Sequence, residues 1–264
     1  MKKRRSPAQG PQTKSVHAGE PERHGVNAPV GTPIVRTSSF TFSSSEEIKR
    51  WAEGKSKAYM YTRYGNPTLA VAEGKLAALE GAEAAVITAS GMAAISSTLL
   101  GLLKAGDEFI ATAQLYGGAY RLMRDIFPGF GITARYVDPD LNGIEHLVTS
   151  RTRAFYIETP TNPALRLVDL EKAAAFAKNH KLVSIIDNTF ATPILQQPLE
   201  MGIDIVVHSA TKYLGGHSDV LGGFAAGSRK WIEPVRRMMM YLGCSADPGA
   251  AFLLQRGIRH SSCA

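Results

Sequence analysis

The chain has 264 residues, 44% of them hydrophobic and 20% charged, which is enough for a sizeable core and excludes collagen-like, low-complexity and fully disordered protein. Two cysteines, Cys244 and Cys263, cannot build a disulfide framework and fit a reducing compartment. Of the charges behind the formal +7, four sit in Lys2, Lys3, Arg4 and Arg5, so the basic balance reads as a solvated tail and not as a nucleic-acid surface.

Residues 1–45 are rich in Pro, Gly, Ser and Thr, with little periodicity, and read as an extended arm. No apolar stretch follows the basic start, so no secretory leader is expected. Glu46–Glu53 reads as a short helix and Tyr59–Asn66 as a loop. Asn66 and Pro67 then open a helix as cap and first-turn residue, and Gly81 stops it.

Beyond Gly81 the chain alternates. Apolar strand-like runs fall at Ala84–Thr88, Phe109–Thr112, Ile132–Val137, Ala154–Ile157, Leu182–Ile186, Ile203–His208 and Gly223–Ala226. Helical runs lie between most of them, among them Met92–Leu103, Ala119–Phe127 and Leu170–Asn179. Ala84 to Leu103 carries no charge and is long enough for a membrane span. Its Thr88, Ser90, Ser96, Ser97 and Thr98 fit a strand followed by a buried helix better. Continuous apolar runs mark strands buried on both faces. The fold expected is therefore α/β, with a mostly parallel seven-stranded sheet and helices on both faces.

Ligands of such sheets bind beyond the carboxyl ends of the strands. Five polar clusters fall there: Ser90-Gly91-Met92, Tyr116, Glu158 to Pro163, Asp187-Asn188-Thr189, and Ser209-Ala210-Thr211-Lys212. An Asp and a Lys just past buried strands are costly unless paired or used. The plain reading is a salt bridge at the sheet edge. The chemical reading is a lysine that forms a Schiff base and an aspartate that holds the cation of a pyridine nitrogen, the protein signature of pyridoxal-phosphate enzymes. Ser90-Gly91-Met92 at a helix start offers free amides to a phosphate, and Ser209 and Thr211 flank Lys212 with hydroxyls. Other motifs fail. Gly54-Lys55-Ser56 lacks the upstream glycine of a P-loop, no dinucleotide fingerprint is present, and the histidines lack metal-site spacing.

The strings Tyr61-Thr62-Arg63-Tyr64-Gly65-Asn66-Pro67, Ser90-Gly91-Met92, Leu115-Tyr116-Gly117-Gly118, Glu158-Thr159-Pro160-Thr161-Asn162-Pro163, Asp187-Asn188-Thr189 and His208-Ser209-Ala210-Thr211-Lys212 occur in this order. Together they resemble the Cys/Met-metabolism (transsulfuration) family of pyridoxal 5'-phosphate enzymes, and Tyr116–Leu122 looks closest to its cystathionine γ-synthases and γ-lyases. The resemblance implies a fold-type I large domain over residues 66–259. It implies an arm, residues 1–65, that contributes to a neighbouring subunit's site. Residues 260–264 depart from the pattern where the family's small domain would follow, which reads as a C-terminal truncation.

The same resemblance implies roles. Lys212 would carry the cofactor and shuttle protons, Asp187 would pair with the pyridine nitrogen, and Tyr116 would stack on the ring. Gly91, Met92, Ser209 and Thr211 would hold the phosphate. Tyr61 and Arg63 would reach the cofactor of a second copy, giving a homodimer or homotetramer with shared sites. Glu158 and Asn162 would support the ring and the substrate. The implied reaction is γ-replacement or γ-elimination on a homoserine ester or cystathionine-type amino acid, in the cytoplasm, with no nucleic-acid or membrane partner. A cystathionine γ-lyase, a homoserine-ester sulfhydrylase and a cofactor-binding remnant without turnover are the alternatives. Gly118, where methionine γ-lyases usually carry Cys, argues against that activity.

Overall fold

Each apolar run beyond Gly81 becomes a strand because its side chains alternate between two buried layers. In the computed structural model, which describes residues 9–20 and 29–260, the strands are β1 (Ala84–Thr88), β2 (Glu108–Thr112), β3 (Thr133–Val137), β4 (Thr152–Glu158), β5 (Val183–Asp187), β6 (Ile205–Ser209) and β7 (Gly223–Gly227). The basic residues 2–5, Cys263 and most of the divergent tail lie outside the described residues. The sheet order is β1-β7-β6-β5-β4-β2-β3. Only β7 runs antiparallel to its neighbours, so β1, β2, β4, β5 and β6 all end at the same sheet edge.

One layer packs Phe109, Ala111, Tyr156, Ile185 and Val207 against α4 (Gly91–Leu102) and α8 (Arg229–Leu242). The intervening strand residues Ile110, Phe155, Ile157, Ile186 and Val206 pack on the other face against α6 (Leu170–Asn179). On that same face Ile87, Phe224 and Ala226 meet α3 (Pro67–Glu80) and α9 (Pro248–His260). The uncharged stretch from Ala84 is thus split into β1 and α4, and among the described residues no helix is long and apolar enough to cross a membrane.

Helix α3 starts and stops where expected: Asn66 Oδ1 accepts the Thr68 N–H at 2.8 Å, and Gly81 takes a left-handed φ of 69°. Two readings differ from the structure. The N-terminal arm contains a helix, α1 (Pro11–His17), held by a contact 59 residues away that no local pattern reveals: buried Lys75 Nζ donates to Val16 O. The run Ala119–Phe127 is not one α-helix. A short α5 (Gly117–Arg121) passes into a π turn (Leu122–Ile126) and a 3₁₀ turn (Phe127–Phe130), with Pro128 lacking the amide a continuing helix needs. The short helices α2 (Ser45–Ala52) and α7 (Thr192–Leu195) complete the set.

The sheet's outer groups are managed by side chains. At edge strand β1, Glu73 accepts the Ile87 N–H and Arg236 donates to Ala85 O while gripping Glu73 with both of its terminal nitrogens. At the amino end of β2, buried Glu108 accepts from Arg135 Nε at 2.7 Å, from Thr149 Oγ1 at 2.9 Å, and from Arg151. The Arg135 hydrogen bond leads this set and holds the Glu108 carboxyl at about 2, against its ordinary 4.5. A carboxylate depressed in the folded state stabilises above its unfolded value and loses that contribution as pH falls through the folded one. Glu108→Gln is therefore less stable than wild type at neutral pH, and the gap closes as pH falls toward about 2. Urea midpoints at pH 7 and pH 3 check this, and a gap of equal size at both pH values contradicts it.

Candidate active site

The site grows from the shared carboxyl edge of the strands. After β1, Ser90 caps α4: its Oγ accepts the Ala93 N–H at 3.1 Å. The Gly91 and Met92 amides belong to the first helical turn and have no acceptor within the helix. A Cβ on Gly91 would lie 2.6 Å from Ser209 Cβ, so glycine lets the helix start abut the loop after β6.

The centre is a pair of carboxylates. Glu158 ends β4 and Asp187 ends β5, and the two are register partners in the parallel ladder. Both are buried, Asp187 to 7% exposure. Each Glu158 oxygen accepts one backbone amide, Tyr116 N–H at 2.8 Å and Asn162 N–H at 3.0 Å. One side chain thereby ties the loop after β2 to the loop after β4. Burial first, and the Asp187 charge second, push the Glu158 carboxyl up to about 8 against the pull of those two amides. Burial also raises Asp187, partly offset by the Thr189 hydroxyl and amide and by His208.

Thr189 joins the halves of the site. Its hydroxyl donates to Asp187 Oδ1 at 2.5 Å and accepts the Ser209 N–H at 2.8 Å. Lys212 stands on the turn after β6, where its N–H donates to Ser209 O at 3.1 Å and its carbonyl accepts the Gly216 N–H at 2.8 Å. That turn is seated on α9, where a Cβ on Gly257 would lie 2.3 Å from the carbonyls of Leu214 and Gly215. Although it follows a buried strand, Lys212 itself is exposed. The Thr211 hydroxyl donates to Gly222 O at 3.3 Å and accepts the Gly222 N–H at 3.1 Å, so its hydrogen is already engaged.

All five strand-end clusters meet in one cavity of about 220 Å³. Gly91, Met92, Tyr116, Glu158, Asn162, Asp187, Ser209, Thr211 and Lys212 all line it. Tyr61 and Arg63 do not. They line a separate hollow with Arg36, Ser245 and Asp247. There the Arg63 guanidinium lies over the Tyr61 and Tyr64 rings at 5.5 and 5.1 Å, and its Nη1 donates to Met240 O at 3.2 Å. Five further lining residues, Ile95, Pro160, Thr189, Phe190 and Leu221, carried no role in the sequence reading. Thr189 was visible only as the third residue of a motif; its hydroxyl earns a role through Ser209, which folding alone brings near.

The cavity fits a phosphorylated pyridine aldehyde. Two buried carboxylates stand side by side at its floor, and like charges so placed favour a bound cation or a shared proton. The α4 start offers amides for an anion. An amine stands at the rim, and the Tyr116 ring, 48% exposed, supplies a flat wall.

The profile of the Cys/Met metabolism PLP-dependent enzyme family matches residues 12–261. A cystathionine γ-synthase of Arabidopsis thaliana, a chloroplastic protein, is 42% identical over 248 residues, covering 93% of this chain and 44% of that one. An L-methionine γ-lyase of Fusobacterium nucleatum subsp. polymorphum is 42% identical over 251 residues, covering 94% and 63%. Among solved structures, a cystathionine γ-lyase of Lactobacillus plantarum complexed with L-serine superposes with a TM-score of 0.88 at 38% identity, covering 97% of this chain and 65% of that one. A Campylobacter jejuni protein assigned as an O-acetylhomoserine (thiol)-lyase, solved with a pyridoxyl-lysine monophosphate, gives 0.91 at 29% identity, covering 97% and 71%. The chain thus spans about half to two-thirds of the length of these relatives. Family profile, shared fold and the gathered strand-end residues agree: this chain belongs to the Cys/Met metabolism PLP-dependent enzymes, with the fold-type I large-domain architecture.

Proposed function

We propose that the protein uses pyridoxal 5'-phosphate, held covalently by Lys212, for γ-replacement or γ-elimination on a homoserine ester or cystathionine-type amino acid. The observation that carries this reading is that Lys212, Asp187 and the start of α4 line one cavity. When bound, the cofactor supplies an electron sink for a carbanion at the substrate Cα. The chain's residues do the rest. The Gly91 and Met92 amides and the Ser209 hydroxyl bind the phosphate, with Thr211 shaping the turn beside them. Asp187 holds a proton on the pyridine nitrogen. Glu158 fixes the Tyr116 and Asn162 loops about the ring. The Lys212 amine takes and returns protons at the substrate carbons.

Tyr61 and Arg63 lie outside their own chain's cavity, which supports their assignment to a second copy's phosphate and hence a homodimer or a tetramer of dimers. The synthase-like reading over a methionine γ-lyase rests on Gly118. A Cβ there would lie 2.5 Å from Tyr116 Cε1 and 3.2 Å from Met92 Sδ, so glycine leaves room for two side chains that line the cavity.

Turnover of O-acylated homoserine with a thiol, or of cystathionine, tests the reaction class; a loaded protein inert toward both contradicts it. Asp187→Ala weakens cofactor binding about tenfold or more and lowers turnover; equal affinity and rate remove Asp187 from its role. Gly118→Ala displaces the Tyr116 ring and weakens cofactor binding about fivefold while leaving the thermal midpoint in place. Unchanged affinity in that variant contradicts the packing argument. In the cofactor-free protein the raised carboxyls bind more protons folded than unfolded, so stability falls as pH rises from about 5 to about 8. Glu158→Gln flattens that decline, which urea midpoints across the range measure directly.

A further inference from the structure

Glu80 is the last residue of α3, wholly buried, and not among the residues that line the cavity. Its Oε1 lies 2.5 Å from His208 Nε2 and 3.4 Å from Asn188 Nδ2. His208 immediately precedes Ser209, and Asn188 immediately follows Asp187. Asn188 is fixed further by Gln196, donating to its carbonyl at 3.0 Å and accepting from its Nε2 at 2.8 Å. A single carboxylate thus grips, from below, both strand ends whose residues face the cavity above.

Stability does not account for this pair. It sits in the apolar layer of Leu76, Leu79, Ala210 and Phe224. Replacing a buried ionisable pair by apolar side chains of similar volume is often neutral or stabilising. Among the described residues Glu80 Oε2 and His208 Nδ1 have no hydrogen-bond partner, which adds a desolvation cost. The return lies on the other side of the sheet. Burial disfavours the Asp187 charge, and His208 is among the groups that oppose that effect.

We infer that Glu80 is a positioning residue for the site: through His208 and Asn188 it fixes the spacing between Asp187 and the Lys212 turn. The inference rests on the cofactor reading above, because one rigid ring must meet Asp187 and Lys212 together. Among the described residues, the ionisable groups about these strand ends include Glu80 from α3, Tyr116 after β2, Tyr156 and Glu158 from β4, Asp187 from β5, His208 from β6 and Lys212 from the turn.

The test uses the full chain as wild type, Glu80→Gln, and the paired Glu80→Met with His208→Leu. Pyridoxal phosphate is titrated while the visible absorbance is followed, and the loaded proteins are then titrated with pH. Both variants should bind about tenfold more weakly. The pH midpoint of their visible band should rise by about half a unit, since a displaced Asp187 meets the ring nitrogen less closely. The cofactor-free paired variant should melt no lower than wild type. Lower melting with a wild-type midpoint in the loaded variants means a purely structural role and overturns the inference. A normal wild-type band with unchanged variants overturns it alone, whereas a wild type without a Lys212-dependent band overturns the cofactor reading and this inference together.

Discussion

Two carboxylates that would rather not be neighbours organise this molecule. Parallel pairing of β4 and β5 puts Glu158 and Asp187 side by side at the end of the ladder, under cover and short of water. Burial raises both, and the Asp187 charge pushes Glu158 further up. Such a pair is tolerable when a proton or an external cation sits between the charges and when donors saturate the oxygens. The donors are present: amides of Tyr116 and Asn162 for Glu158, and the amide and hydroxyl of Thr189 for Asp187. Those donors are the loops of the site, so the arrangement that satisfies the carboxylates also shapes the cavity.

The surrounding fold delivers that arrangement by simple means. A parallel sheet brings five strand ends to one edge. Helix α4 begins at that edge and leaves its first amides unspent. Helix α3 runs beneath and ends at Glu80, which meets His208 at the foot of the lysine turn. Helix α9 presents Gly257 so that the turn can close against it. Each contact lies between segments far apart in the chain, and the cavity forms only once the sheet has assembled in register.

This division explains what was legible in the sequence. Strand positions were, because apolar runs between polar ends need no partner to be recognised; each run coincides with a strand to within a few residues. The ends of α3 were, because Asn66 and Gly81 act locally. Helix α1 was not, since its anchor is Lys75, nor was the π turn after α5, where backbone geometry departs from the apolar period. The convergence of Lys212, Asp187 and Gly91 followed from topology alone. The exposure of Lys212, the engagement of Thr211 with Gly222 and the places of Thr189 and Glu80 depended on pairings that no spacing encodes.

The central claim is that this cavity binds pyridoxal phosphate through Lys212. The most direct measurement is the visible spectrum of the purified chain after addition of the cofactor and removal of the excess, with Lys212→Ala alongside. A protein-bound absorbance band in wild type that is absent from the variant is the predicted result. A folded wild-type protein with no such band, or a variant that gains the same band, would contradict the account.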